Sequence, residues 1–359
     1  MLLTNSAAWI PEEQAQLVVG QAPWPKVGDD DLIISTHAVA VNPVDWKIQS
    51  WGGFGVEYPY VLGEDVAGVV VEVGANFKHK FKTGQRVIGH AVGLAHGHAY
   101  GAFQKYPLLR GSLTAVVPDE IPLSEAVVLP LSISTAAAGL YTKIGLNLRS
   151  PREDTSSLAD KKPTLLVWGG SSSVGSSVIQ LAVASGYTVA TTASLANFDY
   201  VRKLGATLVA DYHEPDVTTK VIGFLSDTNI AGAYDAIGSE ITVRQNAAVL
   251  HALGGGKIAS VGKAPEVPHK DVEIVRISSG IIDNQEPNVA KEIWGEYVPA
   301  ALVSGQLVPE PKPLVTGHGL SDVQDGLDKQ KEGVSASKIV IELHPKKAVP
   351  ATQPRCFAE

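Results

Sequence analysis

The chain has 359 residues, 45% of them hydrophobic and 18% charged, which is the composition of a soluble globular protein long enough for two domains. Its formal net charge of −8 argues against nucleic acid or an anionic membrane as the main partner, because phosphate binding requires clustered Lys and Arg. The only cysteine, Cys356, rules out intrachain disulfides and cysteine-rich zinc sites and favours a reducing, cytoplasmic location. We identify no apolar run long enough to span a bilayer and no secretory signal at the start of the chain.

Residues 1–130 carry short β-like runs separated by Gly, Pro and Asp. These runs, rich in β-branched residues, lie at 31–43, 61–74, 85–93 and 113–118. Such spacing predicts a compact β-rich domain rather than helices. The polar segment 148–164, which mixes Pro, Ser and charges, predicts a surface loop ahead of the next domain.

From residue 164 onward, apolar runs typical of strands alternate with helical patterns. The predicted strands lie at 164–168, 187–192, 208–212, 234–238 and 257–262, with a helix after each of the first four. A further helix is predicted at 288–304 and a strand at 335–343. This alternation predicts an α/β fold with a doubly wound parallel sheet, which binds its ligand at the carboxyl ends of the strands.

A loop of small residues separates the first of these strands from its helix, in the segment LLVWGGSSSVGSSVIQLA at 165–182. Gly169 and Gly170 permit a tight turn, and Gly175 permits close packing of the helix on the strand. The serines that are small enough for a ligand to approach the backbone are Ser171, Ser172 and Ser173. Because main-chain N–H groups at a helix start bind phosphate, the loop predicts a dinucleotide site.

The residues after the second strand bear on which dinucleotide is bound. An NAD site usually carries Asp or Glu about 20 residues beyond the loop, where it binds the ribose 2′-hydroxyl. Here the first acidic residue, Asp199, falls inside the following helix, and the turn offers the neutral donors Thr192, Ser194 and Asn197. No Lys or Arg lies in that turn. Because neutral donors leave room for a 2′-phosphate, we predict NADPH.

Five motifs along the chain are VNPVDWKIQ (41–49), LGEDVAGVVVEVG (62–74), GGSSSVGSSVIQLA (169–182), YDAIGS (234–239) and SKIVIEL (337–343). With these motifs the chain resembles the medium-chain dehydrogenases/reductases, specifically their zinc-independent quinone and enoyl reductases and the fungal trans-acting enoyl reductases that serve polyketide synthases. The resemblance implies a GroES-like β-rich catalytic domain plus a doubly wound Rossmann NADP-binding domain. The implied boundaries are 1–130, completed by about 306–345, for the first, 131–305 for the second, and 346–359 for a loosely held tail.

The resemblance also implies which residues surround NADPH. Those at the nicotinamide and the closing strand are Asp45, Trp46, Lys47, Gly238, Gly262, Lys263 and Lys338. Those at the pyrophosphate are Gly170, Ser171, Ser172, Ser173, Val174 and Gly175, and those at the adenosine phosphate are Ser194, Asn197 and Tyr212. Many members have glycine at the positions of Ser172 and Ser173, so a positive φ there would strain the backbone.

The positions that hold catalytic zinc in related alcohol dehydrogenases lack the required ligands. Those enzymes use a Cys, a His-Glu pair and a second Cys or Asp, whereas this chain has Asn42 and Glu64-Asp65 there. The clustered histidines His90, His96 and His98 lack a matched ligand spacing and predict a loop. We therefore expect no metal.

Hydride transfer from nicotinamide to an enone, an enoyl thioester or a quinone is the chemistry that remains. The predicted donors and acids near the cleft are Lys47, Tyr58, Ser134 and Thr135, with water as an alternative proton source. The predicted apolar lining, for which ordinary core is an equal alternative, is Trp51, Phe54, Leu131, Ile133 and Ile282. An accessory enoyl reductase acting on a synthase-bound acyl chain, a non-catalytic NADPH-binding protein, and a monomer or a homodimer all stay open.

Overall fold

The computed structural model describes residues 4–52, 54–151 and 162–343. The predicted tail at 346–359, Cys356 and most of the predicted polar loop at 148–164 lie outside the described residues. The described part is built on a mainly antiparallel sheet, a parallel sheet and a third sheet of three strands.

The N-terminal part is β-rich, as predicted. Its strands are β1 (Asn5–Ile10), β2 (Val18–Ala22), β3 (Asp31–Ala40), β4 (Tyr60–Val61), β5 (Asp65–Val73), β6 (Arg86–His90), β7 (Leu108–Arg110) and β8 (Thr114–Val116). Strands β2, β1 and β4 form the three-stranded sheet, whose first two members were not predicted. Strands β3, β5, β6 and β8 are antiparallel neighbours in the larger sheet, and their inward faces are almost completely buried.

The parallel sheet occupies the middle of the chain. Its strands are β9 (Thr164–Trp168), β10 (Thr188–Ala193), β11 (Leu208–Asp211), β12 (Ile230–Asp235), β13 (Gly256–Ser260) and β14 (Val272–Arg276). They run in the order β11-β10-β9-β12-β13-β14, which confirms the predicted doubly wound sheet and adds β14. The strand order reverses between β9 and β12, so a ligand crevice is expected at their carboxyl ends.

Two late strands return to the N-terminal sheet. Strand β15 (Lys312–Gly317) pairs in parallel with β16 (Ser337–Glu342), and β16 runs antiparallel to β3. The complete order is β15-β16-β3-β5-β6-β8, with β7 beside β3. The end of the described chain therefore lies beside β3 of the N-terminal sheet.

Helices join and cover the sheets. They are α1 (Pro43–Trp51), α2 (Gly93–His96), α3 (Leu123–Ala126), α4 (Pro130–Tyr141), α5 (Ser173–Ala184), α6 (Phe198–Lys203), α7 (Val217–Leu225), α8 (Glu240–Ala252), α9 (Ile281–Asn284), α10 (Pro287–Ala290), α11 (Val298–Ser304) and α12 (Val323–Glu332). A π-helical stretch, Lys291–Tyr297, joins α10 to α11, so the helix predicted at 288–304 is confirmed.

The expectation that residues 1–130 form strands rather than helices was wrong at α1, α2 and α3, of which α1 is the longest. Asn42 and Asp45 form a capping box at its start, and Pro43 takes the first helical position, where its missing N–H costs nothing. The segment VNPVDWKIQ therefore contains the local signal for the start of this helix.

The segment Leu123–Tyr141 corrects the expectation about apolar runs. By length and composition alone it is long and apolar enough to cross a membrane, but 78% of it is buried inside the protein. Eleven of the twelve residues of α4 are buried, and they pack in a core cluster that includes residues of both large sheets. This helix is the central connection between the two sheets.

Candidate functional site

The dinucleotide loop adopts a backbone that requires its glycines. Gly169 has φ of +83°, and a Cβ on it would lie 2.4 Å from Cδ1 of Ile237. A Cβ on Gly175 would lie 2.2 Å from the carbonyl oxygen of Gly169. The predicted role of Gly175 in close helix–strand packing is therefore confirmed.

Serine replaces glycine in this loop without backbone strain. Ser172 has φ of −72° and caps helix α5, since its Oγ accepts a hydrogen bond from the amide of Gly175 at 3.0 Å. The amides of Ser173 and Val174 belong to the first turn, where N–H groups have no partner within the helix. Together with the helix dipole they form an anion site that fits a pyrophosphate.

Thr192 anchors the loop instead of facing the ribose. Its Oγ1 accepts a hydrogen bond from Gly169 N at 3.0 Å, and its carbonyl oxygen accepts one from Gly170 N at 2.9 Å. The residue is completely buried. The prediction that Thr192 is a donor beside the 2′-phosphate was therefore wrong.

The adenosine end carries neutral hydrogen-bonding groups from two parts of the chain. Asn197 Nδ2 lies 3.1 Å from Ser194 Oγ and 3.1 Å from Ser335 Oγ, so the structure brings Ser335 to this point. Sequence reasoning missed Ser335, because only the fold brings the chain before β16 back to the nucleotide sheet. Tyr212 directly follows β11, which is the strand beside β10, and its side chain is 47% exposed.

Exposed apolar side chains follow the carboxyl ends of β10 and β12, the two strands that flank β9. Leu195 after β10 and Ile241 after β12 are each 70% exposed, and Ile237 is 50% exposed. Apolar side chains in this position provide a surface for a flat aromatic ring such as adenine.

Two glycine turns meet at the opposite end of the crevice. A Cβ on Gly262 would lie 1.9 Å from the carbonyl oxygen of Gly238, so neither turn has room for a side chain. Asp235, which sequence reasoning did not assign, holds the first turn by accepting the amides of Ile237 and Gly238 at 3.1 Å each. Burial raises the pKa of Asp235, and these hydrogen bonds oppose that effect. Lys263 follows the second turn and is exposed.

Asp45 lies too deep to contact a nicotinamide. Its carboxylate is completely buried and accepts the amides of Asn42 at 2.8 Å and Gly63 at 3.1 Å. Burial, with the neighbouring Glu64 carboxyl as the next cause, raises the pKa of Asp45 well above its usual value. The predicted cofactor contact is therefore wrong, since the side chain caps α1.

Lys47 is accessible and lies among aromatic rings. Trp46 and Trp51 pack edge to face with centroids 5.4 Å apart, and Lys47 Nζ lies 5.7 Å and 5.6 Å from the two rings. Lys331 Nζ approaches the Trp46 ring from α12 at 6.0 Å. This exposed face is the candidate substrate side of α1.

The predicted apolar lining divides into accessible and buried members. Trp51 is 60% exposed, Phe54 is 39% exposed and Leu131 is half-buried, so these three are available to a substrate. Ile133 and Ile282 are completely buried in the core, and their assignment to the cleft was wrong.

The predicted hydroxyl donors are differently placed. Thr135 Oγ1 donates to the carbonyl oxygen of Leu131 at 2.7 Å, and the completely buried Ser134 Oγ accepts from Trp294 Nε1 at 3.0 Å. The Tyr58 hydroxyl is buried and has no hydrogen-bond partner among the described residues. Burial and the nearby Glu13 raise the pKa of Tyr58. Lys47, which is half-buried beside the exposed Trp51, is therefore the best placed of the predicted acids.

A buried ion pair occupies the positions compared above with zinc ligands. Lys338 Nζ lies 2.8 Å from Asp65 Oδ2 and also contacts Asn42 Oδ1. Asn42 Nδ2 donates to Asp65 Oδ2 at 2.7 Å, and all three side chains are buried. Because the Lys338 side chain is only 3% exposed and fully engaged, its predicted cofactor contact is wrong.

The three histidines lie in separate environments. His90 ends strand β6, and its Nε2 lies 3.1 Å from Oε2 of the buried Glu64. His96 Nε2 contacts Asp283 Oδ2 at 2.7 Å, while the His98 ring packs against Trp9. The predicted loop therefore fails at His90, which lies on a strand. Among residues 4–52, 54–151 and 162–343, no group of three or more His, Cys, Asp or Glu side chains could hold a metal ion.

Known proteins match this architecture along most of the chain. The profile of the alcohol dehydrogenase GroES-like domain matches residues 28–119, and that of the zinc-binding dehydrogenase matches residues 173–300. A trans-enoyl reductase from Aspergillus japonicus is 40% identical over 347 residues, covering 95% of this chain and 98% of its own. This chain is a medium-chain dehydrogenase/reductase.

Solved structures share the fold of this medium-chain dehydrogenase/reductase. A quinone oxidoreductase from Pseudomonas syringae superposes with a TM-score of 0.72 at 19% identity, covering 95% of this chain and 100% of its own. A mycobacterial protein solved with NADPH gives a TM-score of 0.68 at 24% identity, covering 94% and 99%.

The zinc implied by the name of one matching profile does not fit this medium-chain dehydrogenase/reductase. A zinc site requires thiolate, imidazole or carboxylate ligands around an open position. Here the Lys338 ammonium already lies against Asp65 and Asn42, and the adjacent Glu64 is paired with His90. A dication would have to displace a buried cation, so this donor set does not form a zinc centre.

Proposed function

We propose that this protein is an NADPH-dependent reductase that transfers hydride to an activated C=C bond, in an enone or an enoyl thioester, or to a quinone, without zinc. The observation that carries the proposal is the buried Lys338–Asp65–Asn42 cluster at the positions compared with zinc ligands. Alcohol oxidation in this superfamily would need a metal to polarise the alcohol oxygen. An electron-poor acceptor needs no such metal, because the acceptor carbon is already activated.

The residues at the crevice fit NADPH. When bound, NADPH supplies the hydride. The first-turn amides of α5 would bind the pyrophosphate, and the Ser194–Asn197–Ser335 group would bind the 2′-phosphate with neutral donors and no carboxylate in the hydrogen-bonded group. A similar fold solved with NADPH supports this assignment.

The chain's own contribution to the chemical step is electrostatic. Lys47 is the accessible cation on the substrate side, where it would stabilise the negative charge that develops on the carbonyl oxygen of an enone or thioester. Trp51, Phe54 and Leu131 would hold the apolar part of the acceptor and exclude water.

The experiment is NADPH oxidation at one enzyme concentration with an enoyl thioester and with a small quinone, with NADH in parallel. Turnover that prefers NADPH and persists after dialysis against a chelator supports the proposal. Loss of turnover on chelation, with recovery on adding zinc, would overturn the metal-free assignment.

A second candidate is an accessory enoyl reductase that acts on an acyl chain bound to a polyketide synthase. It is supported by the similarity to a trans-enoyl reductase and uses the same chemistry with a different partner. Activity on a carrier-bound enoyl chain with little activity on the same free thioester would favour it. Binding of NADPH without turnover of any acceptor would instead favour the non-catalytic alternative.

A further inference from the structure

We propose that Asp65, neutralised by Lys338, is a positioning residue whose carboxylate fixes the start of helix α4 and thereby sets the placement of the Lys47 face relative to the nucleotide crevice. The kinetic part of this inference rests on the proposed function. The structural part does not.

Asp65 joins three elements through its two carboxylate oxygens. Oδ1 accepts the amide of Leu131 at 2.6 Å, while Oδ2 accepts from Asn42 Nδ2 at 2.7 Å and from Lys338 Nζ at 2.8 Å. Asn42 is the residue that begins α1, Lys338 lies on β16 and Leu131 lies in the first turn of α4. One buried carboxylate therefore connects the helix that carries Lys47 with the start of α4.

The bond to Leu131 lies where a helix most favours an anion. Pro130, the first residue of α4, has no N–H, so Leu131 offers the first main-chain donor of the helix. First-turn amides lack partners within the helix, and the helix dipole favours negative charge there. The short distance of 2.6 Å is that of a charge-assisted hydrogen bond.

The other side of α4 is attached to the nucleotide-binding elements. The carbonyl oxygen of Thr135 accepts from the Tyr234 hydroxyl at 2.7 Å, and Tyr234 lies on β12. Ser132 Oγ lies 2.8 Å from Ser177 Oγ on α5, the helix that begins at the dinucleotide loop. A displacement at Asp65 would therefore pass through α4 to the crevice.

The Lys338 ammonium neutralises the Asp65 carboxylate that accepts the Leu131 amide. Asp65 is completely buried, and a buried carboxylate without a counter-ion is strongly destabilising. Removing Lys338 alone would therefore confound folding with positioning, so both partners must be changed together.

The test compares two double variants with one control. Asp65→Leu/Lys338→Met removes the acceptor and both charges, whereas Asp65→Asn/Lys338→Gln removes the charges but keeps hydrogen-bonding groups. Lys312→Met is the control, because Lys312 lies on the neighbouring strand β15, is 66% exposed and forms an ion pair with Glu310. Each protein is examined by urea unfolding, NADPH fluorescence titration, hydrogen exchange of peptides at the start of α4, and kcat.

We expect the Leu/Met protein to fold and to bind NADPH within about threefold of the native affinity, while kcat falls at least about tenfold, because small misplacement at the reacting atoms is costly. Exchange at Leu131 should accelerate in that protein. The Asn/Gln protein should recover most of kcat and of the protection at Leu131, and the control should match the native protein in every measurement.

Native exchange and native kcat in the Leu/Met protein would overturn the inference, as would an equal loss in the control. If the Leu/Met protein does not fold, Asp65→Ala/Lys338→Met replaces it. If neither of these two proteins folds while the Asn/Gln protein behaves like the native one, Asp65 has a purely structural role and the positioning role is overturned. If the native protein reduces no acceptor, the proposed function fails, but the exchange measurement still decides whether Asp65 fixes α4.

Discussion

Ser172 Oγ accepts the amide of Gly175 at 3.0 Å, and the same hydroxyl donates to the carbonyl oxygen of Gly169 at 2.9 Å. One serine therefore ties both ends of the dinucleotide loop together and starts helix α5. A glycine at this position would leave both bonds unmade. The Ser172 hydroxyl thus stabilises the loop itself, and its small size also leaves room for a phosphate.

Gly175→Ala should abolish NADPH binding or weaken it at least about tenfold, since the new Cβ would lie 2.2 Å from the Gly169 carbonyl oxygen and push α5 away from β9. Fluorescence titration with NADPH measures the effect. Gly223→Ala is the matched control, because no atom lies within 4 Å of a Cβ there and Gly223 lies inside α7. That variant should bind NADPH normally and unfold at higher urea, by up to about 1 kcal/mol. Normal NADPH binding by Gly175→Ala would contradict the loop assignment.

Asn197→Asp should weaken the preference for NADPH over NADH. A carboxylate within hydrogen-bonding distance of Ser194 and Ser335 would repel the 2′-phosphate and accept a ribose hydroxyl. We expect the KM for NADPH to rise about tenfold, equivalent to 1.4 kcal/mol, with a smaller change for NADH. Asp199→Asn removes an exposed carboxyl two residues away and should leave both KM values unchanged. An unchanged NADPH KM in Asn197→Asp would place the adenosine phosphate elsewhere.

Lys47→Met should lower kcat about a hundredfold with an enoyl thioester, because the variant loses the accessible cation that would stabilise the enolate. Lys331→Met is the matched control, since Lys331 approaches the same Trp46 ring from α12. Steady-state kinetics of both variants separate a specific role of Lys47 from a general effect of charge at the Trp46 face, and equal losses in the two would favour the general effect.

Tyr58→Phe should retain the native kcat, since the Tyr58 hydroxyl is buried. A large loss in Tyr58→Phe would return this residue to the catalytic group.

Lys80 should make stability depend on pH in the alkaline range. Burial lowers the pKa of Lys80 from 10.5 to about 8, so the unfolded chain holds this proton more tightly than the folded protein does. The contribution of this group to stability is therefore greatest above pH 10.5 and is lost as the pH falls through about 8. We expect Lys80→Met to raise the urea midpoint at pH 7 and the gain to shrink at pH 9.5. The exposed Lys78→Met should show neither effect, and a pH-independent gain in Lys80→Met would contradict the burial argument.

Much of the nucleotide-binding half was predictable because its signals are local. The alternation of apolar runs with helical patterns identified the parallel strands from β9 to β13, and the glycines of the loop identified the turn at Gly169 and the packing at Gly175. The capping signal formed by Asn42 and Asp45 is also local, but Asp45 was predicted to contact the nicotinamide because the sequence does not show that it is buried.

What the sequence by itself determined is the order of the strands from β9 to β13, the small-residue loop and the replacement of the Cys and the His-Glu pair of zinc enzymes by Asn42 and Glu64-Asp65. What only the tertiary structure decided is which distant residues meet: Lys338 with Asp65, and Ser335 with Asn197. The physical reason is that propensity, capping and glycine conformation act between residues close along the chain, whereas the pairing of β16 with β3 brings late residues to early ones. A buried charge such as Lys338 is compatible with folding only because β16 and β5 both pair with β3, which brings the Asp65 carboxylate to it.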